Sequence, residues 1–260
     1  MIRLTVHLDV AVAMRSARED RDPDPVALAI RAESGGADSV SLPLAPQQGS
    51  RALRDLRLLR PLLRGALNLE LSSRSEPDAD IFELLPDQVT LVHAPFSEMQ
   101  ASPPLDLTIE GEVLGPLVAR LHAAGMRVVA FVPPDPAQMV EAARLGLDGV
   151  ELDTSSYAAS VVRPGWTVPE DRAALLEGRF VRGGSHPAQL LGQLASAATV
   201  ASDHGLSVAA GRGLSRAALP ALATLPGLEE VHVGHALFVR ALEIGLEEAV
   251  REVRGLLRSS

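Results

Sequence analysis

Four stretches of alternating residues place groups fit for acid–base chemistry two positions apart. They are Thr5, His7 and Asp9; Asn68, Glu70 and Ser72; Glu151 and Asp153; and His232, with Gly234 and His235 just beyond it. Side chains two apart on a strand share a face. The residues between them are Val6 and Leu8, then Leu67, Leu69 and Leu71, then Val150 and Leu152, then Val231 and Val233. Each stretch is therefore apolar on one side and carries acids, imidazoles or amides on the other. In a plain core one inward acid is satisfied by a hydrogen bond. Five or six acids and imidazoles meeting at one pole require solvent, a cation or a ligand, because unpaired carboxylates are expensive to bury. Carboxyls set close together also push their pKa values apart, so that one acts as an acid while its neighbour acts as a base near neutral pH.

A second pattern suits phosphate. Gly211-Arg212-Gly213 and Gly234-His235 each combine exposed backbone N–H groups with a cationic or imidazole side chain. Arginine adds a bidentate donor. Alone, Gly-Arg-Gly is a weak motif, more often just a tight turn; at the end of strand seven, next to a Gly-His on strand eight, it reads as a phosphate cradle. Asp9, Glu70, Glu151, Asp153 and His235 are also chemically able to hold a divalent ion. No compact ligand motif such as His-Glu-x-x-His accompanies them. The expectation is a site without metal or cofactor.

The elements that position these groups alternate throughout. Strands are predicted at Leu4–Val10, Ser39–Leu44, Leu67–Ser72, Gln88–His93, Val128–Val132, Val150–Thr154, Ser207–Gly211 and Val231–Gly234. Helices are predicted at about 24–35, 50–64, 77–85, 112–124, 136–145, 188–204, 215–224 and 237–257. Gly36, Gly125, Gly146 and Gly205 each fall between a helix and the next strand, where glycine accepts the left-handed conformation that ends a helix. Eight strands in βα alternation predict an α/β (β/α)8 TIM barrel, a single domain over 1–260. A doubly wound sheet would carry a glycine-rich loop after its first strand, and Ala11-Val-Ala-Met-Arg15 stands there instead. Residues 158–187 break the pattern with Pro164, Gly165, Pro169, Gly178, Gly183, Gly184 and Pro187. This irregular excursion after strand six holds the only tryptophan, Trp166, and reads as a lid or a subunit contact.

Composition narrows the chemistry. The 260 residues include no cysteine, and all 24 basic residues are arginine. Thiolate nucleophiles, zinc–thiolate sites and lysine Schiff bases are thereby excluded. The net charge of −9 argues against nucleic acid and anionic membranes as partners. Arg51, Arg54, Arg57, Arg60 and Arg64 form a single helical stripe, read as a solvated face or subunit contact. No membrane-spanning run or leader pattern appears, so a cytoplasmic protein is expected.

With strands and strand ends in place, the sequence resembles the pyridoxine 5′-phosphate synthase family along nearly its whole length. The carrying segments are Val6-His-Leu-Asp9 through Arg18, Pro23-Asp-Pro25, Gly36-Ala-Asp38, Leu67-Asn-Leu-Glu70, Val89-Thr-Leu-Val92, Val150-Glu-Leu-Asp-Thr154 with Tyr157, Ala210-Gly-Arg-Gly-Leu214, and Val233-Gly-His-Ala236 with Arg240. The resemblance implies a barrel enzyme, commonly an octamer, that condenses 1-deoxy-D-xylulose 5-phosphate with 3-amino-2-oxopropyl phosphate. It acts on small phosphorylated substrates without metal or lysine catalysis. By position, Glu70 and Glu151 match the family's two acid–base carboxylates. Asp9 matches the aspartate of its first-strand motif, and Gly234 and His235 match its phosphate turn. Four departures stand beside these matches. Val10 follows Asp9 where the family has histidine; Pro43 and Ala45 stand in place of a histidine and an arginine; Arg212 replaces the histidine of Gly-His-Gly; and Val92-His-Ala-Pro-Phe96 replaces Val-Pro-Glu-Lys-Arg.

Three readings follow. In the first the chain is an active synthase in which His7, His93, His232 or Arg212 partly replaces the missing imidazoles. Its catalytic groups are Glu70 and Glu151. His7, Asp9, Arg18 and Asp153 bind substrate, and Gly211, Arg212, Gly213, Gly234 and His235 bind phosphate. In the second it is a non-catalytic paralogue that binds a phosphorylated metabolite. In the third, Glu151 and Asp153 run a different barrel reaction. A homo-oligomer is expected by resemblance.

Overall fold

The structure is a computed structural model that describes residues 1–18, 20–44, 49–74, 79–93, 103–162, 166–167, 181–182 and 186–258. Ten strands occur among them: β1 Arg3–His7, β2 Ser39–Leu44, β3 Ala66–Ser72, β4 Gln88–Val92, β5 Arg127–Val132, β6 Gly149–Asp153, β7 Trp166–Thr167, β8 Val181–Arg182, β9 Ser207–Gly211 and β10 Leu228–Val233. Eight of these close a parallel barrel in the order β1-β10-β9-β6-β5-β4-β3-β2. The remaining pair, β7 and β8, forms a two-residue antiparallel ribbon. The helices are α1 Asp9–Arg18, α2 Pro25–Gly35, α3 Gly49–Leu62, α4 Ala79–Leu84, α5 Leu107–Ala123, α6 Pro136–Arg144, α7 Ser155–Val162, α8 Pro187–Asp203, α9 Leu219–Leu222, α10 His235–Ile244 and α11 Leu246–Arg258. No helix among the described residues is long and apolar enough to cross a membrane.

The predicted (β/α)8 TIM barrel is the observed fold. Its outward-facing residues Leu4, Val6, Leu67, Leu69, Val150, Leu152, Val231 and Val233 are all buried against the helices. The barrel axis is polar instead. Ser41, Asn68 and Thr90, on three consecutive strands, form a chain: the Asn68 Nδ2 donates to Ser41 Oγ at 2.9 Å and Thr90 Oγ1 donates to Asn68 Oδ1 at 2.9 Å. Registers set this layer, with Ser41 opposite Asn68 and Asn68 opposite Gln88. The helix-ending glycines behave as expected: Gly36, Gly125, Gly146 and Gly205 take φ of +103°, +82°, +73° and +76°. Arg254 of α11 closes the ring from outside, donating to Asp38 Oδ2 at 2.7 Å just before β2.

Several boundaries differ from expectation. The first strand ends at His7 rather than Val10, and Asp9 opens α1, a helix missing from the sequence reading. The run Leu8-Asp-Val-Ala-Val-Ala is rich in β-branched residues, so it imitates a longer strand. Asp9 Oδ1 accepts the Val10 amide at 2.9 Å, which favours the helical start. Asp106 caps α5 through Thr108 N at 3.1 Å, which starts that helix five residues before the predicted 112. Gly245 at φ +84° divides the predicted helix 237–257 into α10 and α11. Within 158–187, α7 continues to Val162, and most of the remainder lies outside the described residues. The predicted lid with Trp166 lies largely outside them too.

Candidate active site

The inward side chains of β1, β3, β6 and β10 meet near the carboxyl ends of their strands. His7 Nδ1 lies 3.1 Å from Glu70 Oε1, and His7 Nε2 lies 2.9 Å from His232 Nδ1. His232 Nδ1 is also 3.2 Å from Glu151 Oε2, while its Nε2 lies 3.1 Å from Glu230 Oε1. Behind Glu230, the Thr5 hydroxyl donates to Oε1 and Arg3 Nη2 donates to Oε2 at 2.9 Å. One continuous polar line thus runs from Glu70 through two imidazoles to Glu230, with Glu151 attached at its middle.

With the rings donating to the carboxylates, proton counting gives the charge of that line. Glu70, the ring-to-ring contact and Glu230 each need one N–H, which makes three protons on four ring nitrogens. A neutral imidazole carries one and an imidazolium two. The pair therefore holds one positive charge among three carboxylates. Burial alone would lower the His232 pKa, but the charge and hydrogen bond of Glu151, followed by those of Glu230, raise it to about 10. Burial pushes Glu230 up, yet the His232 hydrogen bond and charge, the Thr5 hydroxyl and Arg3 pull it down to about 2. For Glu151, burial is likewise outweighed by the charge and hydrogen bond of His232, and its pKa falls. His7 is raised, because its hydrogen bond to Glu70 and the charge of Glu70 overcome desolvation. Asp9 moves up instead: burial dominates, and Glu70 adds to it against His7. Two carboxyls of one pocket, Asp9 and Glu151, are thus displaced in opposite directions, a pattern that separates acid from base.

Accessibility divides the cluster. Glu70 and His7 side chains are 14% and 12% exposed, whereas His232 and Glu151 are 1% and 5%. Glu70 and His7 are accordingly the members that a ligand in the barrel mouth would touch. Gly211 and Gly234 keep the pocket open. A Cβ on Gly211 would overlap Glu151 Oε1, and one on Gly234 would stand 3.2 Å from His7 Cβ. Gly211→Ala is expected to displace Glu151 from His232 and lower kcat by at least tenfold. A crystal structure of the variant together with steady-state kinetics checks it.

Arg212 takes φ +82°, rare for a non-glycine residue, and its guanidinium lies 4.3 Å over the Phe131 ring. From there its charge favours ionisation of both Asp9 and Glu151. Thr154 holds this turn by donating to the carbonyl oxygens of Gly211 at 2.7 Å and Arg212 at 2.6 Å.

Of the residues singled out in the sequence, Glu70, Glu151, His7, Asp9 and the Gly211–Gly213 turn come together. Others stand apart. Asp153 Oδ1 accepts the Ser155 amide at 2.9 Å and so helps start α7. Arg18 is exposed at the far end of α1, about 13 Å of helix from Asp9. His235 is exposed as the first residue of α10, just after Gly234. His93 Nδ1 faces Glu110 Oε1 at 3.4 Å. Glu230, Arg3 and Phe131 escaped the sequence reading. Glu230-x-His232 shares one strand face, a signal that was present one position before the predicted strand start.

A closed parallel barrel with carboxylates, imidazoles and an arginine gathered at its strand ends defines the class of (β/α)8 proteins that hold small ligands at that pole. Similar solved folds include phosphoribosylanthranilate isomerase from Thermotoga maritima, with TM-score 0.55 and 12% identity covering 100% of both chains. Another is 3-hexulose-6-phosphate synthase from Salmonella typhimurium, with TM-score 0.58 and 14% identity covering 99% of both. Within that class the chain belongs to the PdxJ family, the pyridoxal phosphate biosynthesis proteins, whose family model it matches over residues 4–259. A relative named pyridoxine 5′-phosphate synthase from Synechococcus sp. (strain JA-2-3B'a(2-13)) is 36% identical over 254 residues, 98% of each chain. One of the same name from Citrifermentans bemidjiense is 33% identical over 258 residues, 99% of each.

Proposed function

We propose that this chain is an active pyridoxine 5′-phosphate synthase that joins 1-deoxy-D-xylulose 5-phosphate to 3-amino-2-oxopropyl phosphate with loss of water and phosphate. The observation that carries the reading is the Glu70–His7–His232–Glu151 line at the barrel mouth of a PdxJ family member. Amine addition to a carbonyl, dehydration, loss of phosphate and ring closure are all steps of proton transfer. Each needs a base for a proton on nitrogen or carbon and an acid for a departing oxygen. Glu70 and His7 are the catalytic pair of this proposal, since they are the accessible members. Glu151 is the second carboxylate and acts from behind, holding the charge of His232. Asp9, with its raised pKa, is suited to donate a proton or hydrogen bond to substrate.

Arg212 and the first amides of α10, after Gly234, are the proposed phosphate anchors, supported by their place beyond β9 and β10. Arg18, His235 and Asp153 remain peripheral candidates for the substrate's phosphate ends. Arg212→Ala removes a charge-assisted contact worth about 1.5–3 kcal/mol. It is therefore expected to raise KM by about ten- to a hundredfold, with a smaller effect on kcat, as initial-rate kinetics would read.

Self-association is part of the proposal. Ile109 and Val113, one turn apart on α5, are 77% and 76% exposed, and Leu242 on α10 is 86% exposed, which suits subunit contacts. A cytoplasmic homo-oligomer acting on small phosphorylated metabolites is the matching context, and light scattering would read its size. The deciding experiment incubates purified protein with the two substrates and follows product by mass spectrometry. Pyridoxine 5′-phosphate above background is the expected result. Thermal stabilisation by the substrates without product would overturn it in favour of a binding paralogue.

A further inference from the structure

We propose that His7 Nε2, His232 Nδ1 and Glu151 Oε2 form a binding site for a divalent first-row transition ion, which takes the place of the proton shared between the two imidazoles. The three ligand atoms all lie within 4.8 Å of one another. Two of their separations are 2.9 Å and 3.2 Å. Ligands about 2.1 Å from an ion and at right angles to each other lie about 3.0 Å apart, so both separations fit neighbouring corners of an octahedron. Two imidazoles and one carboxylate are the donor types of the facial triad, which leaves three positions for water or substrate oxygens.

A second, independent feature is what lies behind the ligands. An imidazole that binds a metal normally donates its other N–H to a carboxylate, which fixes its tautomer and orientation. Both rings have that partner. His7 Nδ1 faces Glu70 at 3.1 Å, and His232 Nε2 faces Glu230 at 3.1 Å. Each ring therefore aims at the site the nitrogen that an ion would need, once the proton they share is displaced. Glu230 is in turn braced by Thr5 and Arg3, which leaves His232 little freedom to turn away. The carboxylates Glu70, Glu151 and Glu230 outnumber the nearby arginines, Arg3 and Arg212. Local charge thus favours a cation between the rings.

This donor set differs from the one the sequence suggested, Asp9, Glu70, Glu151, Asp153 and His235, of which it retains only Glu151. Its function is regulatory if the synthase reading holds: an ion between the rings removes the proton path and stops turnover. The binding itself does not depend on that reading.

The experiment strips the intact protein with chelator and titrates it separately with Zn²⁺ and Co²⁺. One Co²⁺ per chain with d–d absorption from a mixed nitrogen and oxygen site is expected, together with a rise in melting temperature on adding Zn²⁺. His7→Asn, at the accessible ring, and Glu151→Gln should each weaken Co²⁺ binding at least tenfold. Glu230→Gln, behind His232, should weaken it by about ten- to a hundredfold. His204→Ala, an exposed histidine remote from the barrel mouth, should leave it unchanged. Absence of stoichiometric binding, or equal affinity in wild type and His7→Asn, would overturn the site. These readouts use no substrate, so a protein that binds metal but makes no product would fail the synthase reading alone.

Discussion

Glu70→Gln is expected to lower kcat by about a hundred- to ten-thousand-fold, the usual scale for removal of a general acid–base group. Glutamine keeps the shape of the side chain and can still accept the hydrogen bond from His7 Nδ1, now 3.1 Å from Glu70 Oε1. What it cannot do is take up or release a proton. Because the side chain is partly exposed, the lost charge is compensated by solvent, and the melting temperature should stay within a few degrees of wild type. Steady-state kinetics beside a thermal melt checks both halves. A kcat close to wild type would move the chemistry away from Glu70. A collapsed melt would make Glu70 structural instead.

His232→Leu should produce the largest loss of stability. Glu151 would then be buried without its imidazole partner and Glu230 would keep only Arg3 and Thr5, and breaking a buried ion cluster in this way costs about 3–5 kcal/mol. In a domain of this size that is a fall of roughly 6–20 °C in melting temperature. The pH dependence separates this from simple cavity strain. The His232 pKa is raised from 6.5 to about 10 on folding. Its stabilisation is therefore complete below pH 6.5 and lost as pH rises through about 10. Glu230, lowered to about 2, stabilises above its ordinary value of 4.5 and ceases to do so as pH falls toward 2. Wild type should thus weaken at both extremes. In the variant, burial of Glu151 is no longer offset by His232, so it should instead gain stability as pH falls below neutrality. Thermal melts across pH 4–10 read the difference, and parallel curves for the two proteins would contradict it.

The sequence carried the barrel because its signals are local. Alternation marked the strands, and glycines requiring positive φ marked the joints, as at Gly36 and Gly205. It also carried the inward direction of His7, Glu70, Glu151 and His232, since period two assigns a face wherever the strand is correctly placed. Where strand ends were misplaced, roles were misread. Asp9 looked like a third inward group of β1 but begins α1, and Asp153 supports the start of α7. Glu230 was overlooked because Glu229-Glu230 follows Gly227-Leu228 and reads as a polar loop before the apolar alternation begins. The pairing of His7 with His232 could not be read from spacing at all. It depends on β1 and β10 being neighbours across the closure of the barrel, with 225 residues of chain between the two rings. Closure brings the first and last strands together, and no local pattern encodes it.

That pairing also bears on the positions where Val10, Pro43 and Arg212 stand in place of family histidines. Val10 is buried on α1, Pro43 lies opposite Glu70 in β2, and Arg212 is stacked on Phe131. None of the three side chains shuttles protons at neutral pH: valine and proline have none to exchange, and the arginine guanidinium keeps its own. The imidazoles of the mouth are instead His7 and His232, the pair in contact with Glu70 and Glu151.

The most direct test is therefore the kcat of His7→Asn at saturating concentrations of both substrates. Asparagine fits the space and places its amide near the position of Nδ1, facing Glu70, yet it moves no protons. The account predicts a fall in kcat of about a hundredfold or more in a protein that remains folded. A kcat within threefold of wild type would contradict it.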